Sequence, residues 1–268
     1  MTTVRIPVEG EASFISSAGV NGIQFLAHTR IGRGGALALV RIILAEDGTL
    51  ADVSSGETSR TKLRAEFDEL GRRTKVRVGP ASGAYVAWRI HQAAAAHKAA
   101  GKTLSAGAEA ALARIPAVEG PLDHPAKALS GAPDAERRLA ASLDLHGEPE
   151  FQYVVPPLRA VTAVAEYVSA HGPGDSEDPE GDATRTAFYA AIDAFYTPAE
   201  RARLAMQLRD AALVFAGTRR PDRALEAVAV ADALEDTRPS ALPPHEIPFV
   251  MAMYYKFMMV RREMQKQG

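Results

Sequence analysis

The chain has 268 residues, 47% of them apolar and 24% charged, which is enough apolar material for one large or two ordinary domains with real cores. A formal net charge of −2 is far from that of a dedicated nucleic-acid binder, and the lack of any cysteine excludes disulfides, thiolate zinc sites, iron–sulfur clusters and cysteine nucleophiles. The opening MTTVRIPVEGEASF carries no basic segment followed by an apolar run, and no stretch of about 18 uncharged apolar residues occurs; a cytoplasmic protein without a membrane partner is expected.

The charge is unevenly spread. Residues 1–115 hold 15 Lys plus Arg against 10 Asp plus Glu, and the remainder holds 16 against 23. Such an asymmetry orients a partner or favours head-to-tail contact.

The first fifty residues read as strands. Val4, Ile6 and Val8 alternate with polar neighbours, with Pro7 suiting an edge; Ala12 to Ser17 is a short strand, and Ile23, Phe25 and Ala27 alternate in another. Gly32, Gly34 and Gly35 lack the Gly-Lys-Ser/Thr of a phosphate cradle and precede a strand, so they read as a hairpin loop. Ala36 to Ala45, apolar except for Arg41, suits a central strand covered on both faces, and the turn Asp47-Gly48 leads to a weaker strand over Thr49 to Ser54. Ser59 caps a helix carrying Leu63, Phe67 and Leu70 and ending at Gly71. After a strand near Val76 to Val78, Ser82 starts a helix with Val86, Ile90, Ala93 and Ala94 inward, stopped by Gly101.

Pro116 to Pro133 mixes Pro121, Pro125, Gly120 and Gly131 with few periodic apolar residues. The fold class expected is therefore α+β: a mostly antiparallel sheet with two packed helices over 1–115, a linker or irregular crossing over 116–133, and an all-α domain over 134–268. Helices are expected at Ala135 to Leu145, Pro157 to Ala170, Thr184 to Tyr196, in a pair between Thr197 and Glu235, and from about Pro248 to Gln265. His171 to Asp182 is polar, acidic and rich in glycine and proline, an exposed loop; Pro179 stands where a calcium loop needs a ligand.

The pair carries the clearest signals. Thr197, Pro198 and Glu200 supply cap, first position and capping box; Leu204, Leu208, Ala211 and Phe215 form one stripe, with Arg201, Arg203, Arg209 and Asp210 elsewhere on the surface. Gly217 stops this helix, and Pro221 opens a second through Leu225, Val228, Ala229 and Leu234 that is apolar on several sides. Ala224, Leu225, Ala227, Val228 and Ala231, after a glycine and an arginine-rich turn, resemble the second helix of a tetratricopeptide-type repeat over about residues 202–236. That resemblance implies a helical surface that binds peptides or partner proteins.

No catalytic constellation, metal site or cofactor is expected. There is no HExxH, His91 and His97 lie six apart on different sides of a helix, and His97 projects with Val86 and Ile90 as a core histidine. Ser16, Ser17 and His28 could in principle meet across adjacent strands, but the absence of an elbow motif, an oxyanion site and an assigned acid speaks against a nucleophile there. The best polar candidate is the basic cluster Arg60, Arg64, Arg72, Arg73, Lys75 and Arg77, diluted by Glu57, Glu66, Asp68 and Glu69. Trp88, Tyr254, Tyr255 and Met258 are the candidate partner contacts, the last three on a helix so apolar that a homodimer through it is a further expectation. The function expected is a non-enzymatic interaction or adaptor protein with an unidentified protein partner. The alternatives are a nucleic-acid-associated factor using the basic cluster, and an enzyme at which Tyr85, Trp88, His91 and His28 converge.

Overall fold

Strands and helices fall largely where alternation and capping put them in the computed structural model, which describes residues 6, 10–19, 22–31, 36–120, 122–151, 158–171 and 182–256. Strands β1 (Glu11–Ser16), β2 (Gln24–Ile31), β3 (Leu37–Leu44) and β4 (Leu50–Thr58) form an antiparallel meander. After helix α1 (Arg60–Thr74), β5 (Val78–Ala81) joins the free edge of β1, giving the order β4-β3-β2-β1-β5 with every pairing antiparallel. Of the first expected strand only Ile6 is described, buried beside the α1 side of the sheet, and the glycines at 32, 34 and 35 lie outside the described residues.

The two-residue period of the strands sorts their side chains onto two faces. Phe14, Ala27, Leu37 and Leu39 meet Leu63 and Phe67 of α1 on one side. Ile15, Leu26, Val40 and Ile42 meet Tyr85, Val86 and Ile90 of α2 (Gly83–Ala99) on the other, where α3 (Ala106–Leu112) also packs through Ala111. Two expectations need correction. Helix α1 does not stop at Gly71 but runs on to a cap at Lys75, which takes the left-handed conformation with φ 58° while its amide donates to the Gly71 carbonyl. Helix α3, capped by Ser105, went unread because its seven residues are too few to show a period.

Beyond Pro116 the chain crosses irregularly, with a 3-10 turn over Pro125–Leu129, and continues as α4 (Ala135–Ala141), α5 (Leu158–His171), α6 (Asp182–Phe195), α7 (Pro198–Gly217), α8 (Pro221–Glu235) and α9 (248–256). The expected helix from Ala135 to Leu145 is α-helical only to Ala141 and tightens into a 3-10 turn over Ser142–Gly147. Helix α7 begins as its sequence dictates, with the Thr197 side chain accepting from the Glu200 amide and Pro198 at the first position. Leu204, Leu208 and Phe215 of α7, Val228 and Leu234 of α8, and Phe249 and Val250 of α9 share one core.

Helix α7 also touches the sheet. Gly79 of β5 pairs with Ile15, whose side chain is on the α2 face, so α7 lies beside α2 on that face. A Cβ at Gly79 would stand 2.8 Å from Val214 Cα, and one at Gly217 would stand 2.6 Å from Pro80 Cδ. Only glycine permits the Val214 backbone and the Pro80 ring to come this close. Arg209 and Asp210, expected on the surface, are 4% and 0% exposed, because α7 is covered on one side by helices and on the other by the sheet layer.

Candidate functional site

The most concentrated polar chemistry lies where α7 meets that layer. Asp210 Oδ1 accepts from the Tyr85 hydroxyl at 2.8 Å and from His124 Nε2 at 3.0 Å; Oδ2 accepts from Gln24 Nε2 at 2.8 Å and Arg89 Nη2 at 3.2 Å. Strand β2, helix α2, the irregular crossing and α7 each contribute. Sequence supplies His124 through its second duty: its Nδ1 accepts from the Ala126 amide and caps the 3-10 turn, so Nδ1 is bare and Nε2 carries the proton given to Asp210.

Burial alone would push the Asp210 carboxyl up, but the Arg89 charge and the hydrogen bonds from His124 and Gln24 outweigh it and hold the group below its ordinary 3.8. Burial, and then the Asp210 charge, push the Tyr85 phenol up. The result is a charged carboxylate whose two oxygens each hold two donors, beside a phenol locked in its protonated form. Its chemistry is to fasten α7 to the sheet layer.

Two further ionic networks join the same parts. Glu150, its side chain 0% exposed, is gripped by Arg220 and lies 3.5 Å from Arg77; Arg220 rests on the Phe215 ring and also holds Glu148. At the other end Arg159 of α5 binds Glu200 of α7 and Glu46 of the β3–β4 turn.

Of the basic cluster, Arg72, Lys75 and Arg77 line one groove of about 340 Å³ floored by Phe67, Val76 and Val78. Arg72 and Arg73 are paired with Glu69, and Arg77 with Glu150. Arg60 and Arg64 sit at the opposite end of α1, Arg60 being about 18 Å from Arg72 along the axis. Trp88 is half-buried, stacked at 6.0 Å on Tyr85, and its Nε1 has no partner among the described residues. Tyr254 is turned into the core at 2% exposure, Tyr255 is 48% exposed, and Met258 lies outside the described residues.

The structure gives Tyr85, His91 and His28 three different partners: Asp210, the Pro116 carbonyl and the Ser13 hydroxyl. Ser13, rather than Ser16 or Ser17, meets His28, at 2.8 Å, because the register pairs those two residues directly; burial pushes the His28 imidazole down. No group of three or more metal-ligating side chains occurs among the described residues, and no helix among them is long and apolar enough to cross a membrane. The acidic positions 175, 177, 178 and 180 lie outside the described residues.

A second, larger cleft of about 750 Å³ opens between α4, the outer side of α8 and residues 236–248. Ala229, Asp232 and Ala233 of α8, the latter two three and four residues after the first, share one helical face that lines it together with Asp236 at the helix C-cap. No family model, curated protein or solved structure matches the chain.

Proposed function

We propose that this is a non-enzymatic interaction protein that presents a helical surface to another protein. The observation that carries this reading is the contrast between its two polar assemblies. The buried one, around Asp210, spends its hydrogen-bonding groups on holding α7 in place. The open one, along α8, keeps carboxylates and small apolar residues on a concave surface of a size that accepts side chains of a partner. The resemblance of residues 202–236 to a tetratricopeptide-type repeat supports the same reading, since such helix pairs work by offering a face.

The basic groove is the weaker basis for function, because three of its arginines are already paired, Arg72 and Arg73 with Glu69 and Arg77 with the buried Glu150. The test is the native mass of the chain in an extract of its own cells, with and without nuclease. A species heavier than 28.6 kDa by a protein component and unchanged by nuclease is expected. A chain found alone, or a complex that collapses on nuclease treatment, contradicts the proposal.

A further inference from the structure

We propose that the cleft between α4 and α8 receives a lysine- or arginine-bearing extended segment of the partner protein; this rests on the interaction reading above. Glu136, Asp232, Glu235, Asp236 and Glu246 line the cleft against Arg209 and Arg238, leaving three net negative charges around a single concavity. Each arginine is already engaged: Arg209 by Asp232 and Glu235, Arg238 by Asp236. Glu136 and Glu246 are exposed at the rim, with the His245 ring 3.9 Å from the Glu246 carboxylate. A cationic occupant is therefore favoured electrostatically over an anionic or neutral one.

The lining also says what kind of cation. Leu139, Ala229, Ala233, Leu242 and Pro248 give the cleft an apolar floor, against which the methylene stems of lysine and arginine pack while their heads reach the carboxylates. Arg209 is not available to an occupant: its side chain is 4% exposed and two of its nitrogens hold Asp232 and Glu235. An extended peptide carries cationic and apolar side chains together, so it meets the carboxylates and the floor at once, whereas spermidine carries its charges on a bare methylene chain.

The experiment titrates the purified full chain with short fluorescent peptides in which lysine and arginine alternate with apolar residues. The controls are glutamate-for-lysine versions of the same peptides, spermidine, and single-stranded RNA. Binding that weakens as salt is raised is expected, with the triple variant Glu136→Gln, Asp236→Asn and Glu246→Gln weakening it about tenfold or more. Ala233→Phe, which fills the floor and leaves the charge untouched, is expected to abolish binding in a chain whose helical circular dichroism is unchanged. Spermidine binding as tightly as the peptides, equal binding of the acidic controls, or no loss in the triple variant overturns the proposal. Failure of every basic peptide to bind also overturns it, while a nuclease-resistant native complex would leave the broader interaction reading standing.

Discussion

Gln24 of β2 and Asp210 of α7, separated by 186 positions in the chain, are joined by a 2.8 Å hydrogen bond in a region closed to solvent. The same amide nitrogen of Gln24 also donates to the Ser16 carbonyl at 2.9 Å, so one side chain ties α7 to both β1 and β2. Around it Asp210 gathers Tyr85, Arg89 and His124, making one aspartate the point at which sheet, α2, crossing and α7 are registered against each other.

Asp210→Asn keeps the shape and removes the charge. One of its two positions becomes an NH₂ facing two donors, and Arg89 loses its countercharge in a largely buried site. A loss of about 3–5 kcal/mol in unfolding free energy, measured by urea denaturation, is expected. A loss below about 1 kcal/mol would mean the cluster does not hold the structure together.

The same group sets the acid limb of stability. Because the folded Asp210 pKa lies below its ordinary 3.8, the unfolded chain binds the extra proton first; the stabilisation is present above that value and is lost as pH falls below it. Tyr85 and Tyr254 act at the other end. Burial raises both, Tyr254 to about 12, so their contribution is intact below pH 10 and falls as pH rises above it. Thermal unfolding followed against pH should show both limbs, with the acid one flattened in Asp210→Asn.

Gly79→Ala tests the close approach of α7 to β5. The new methyl meets Val214 backbone, which cannot swing aside as a side-chain tip can, so a loss of about 1–3 kcal/mol is expected. Gly48→Ala, where nothing stands within 4 Å but φ is +77°, isolates the backbone cost alone and serves as the comparison.

Two arginines separate buried from exposed ion pairing. Arg220→Ala strips the main partner from Glu150, whose side chain is wholly buried, and should cost about 3 kcal/mol or more. Arg159→Ala breaks pairs in which the arginine is 41% exposed, and should cost no more than about 1 kcal/mol. Equal losses in denaturation experiments would contradict this distinction.

The sheet, α2, α7 and α8 were legible in the sequence because each depends on local signals: two-residue alternation, a Ser or Thr cap, a Pro at a first turn, a Gly at a stop. What escaped depended on contacts between distant segments. Asp210 reads as a surface charge within LRDAALVFAG, since one stripe accounts for Leu208, Ala211 and Phe215; only the second covering layer, seen in the burial of Ala205, Ala212 and Val214, reveals that there is no outer side at that level. That all-round apolar half of α7 was the available hint that a charge within it needs partners. His124 sits among prolines and glycines where no period exists, and Glu150 lies in a three-residue 3-10 turn. The basic cluster was legible as a list of charges with Glu69 among its local carboxylates, but the buried Glu150 that pairs with Arg77 lies about seventy positions further along the chain.

The most direct test is hydrogen–deuterium exchange of the full chain, free and in the complex isolated from native extract. Slowed exchange confined to α4, the α8 segment 229–236 and residues 236–248, with the surroundings of Tyr85, His124 and Asp210 unchanged, is the result this account predicts. Protection centred on Tyr85, His124 and Asp210, with the α8 segment unaffected, would contradict it.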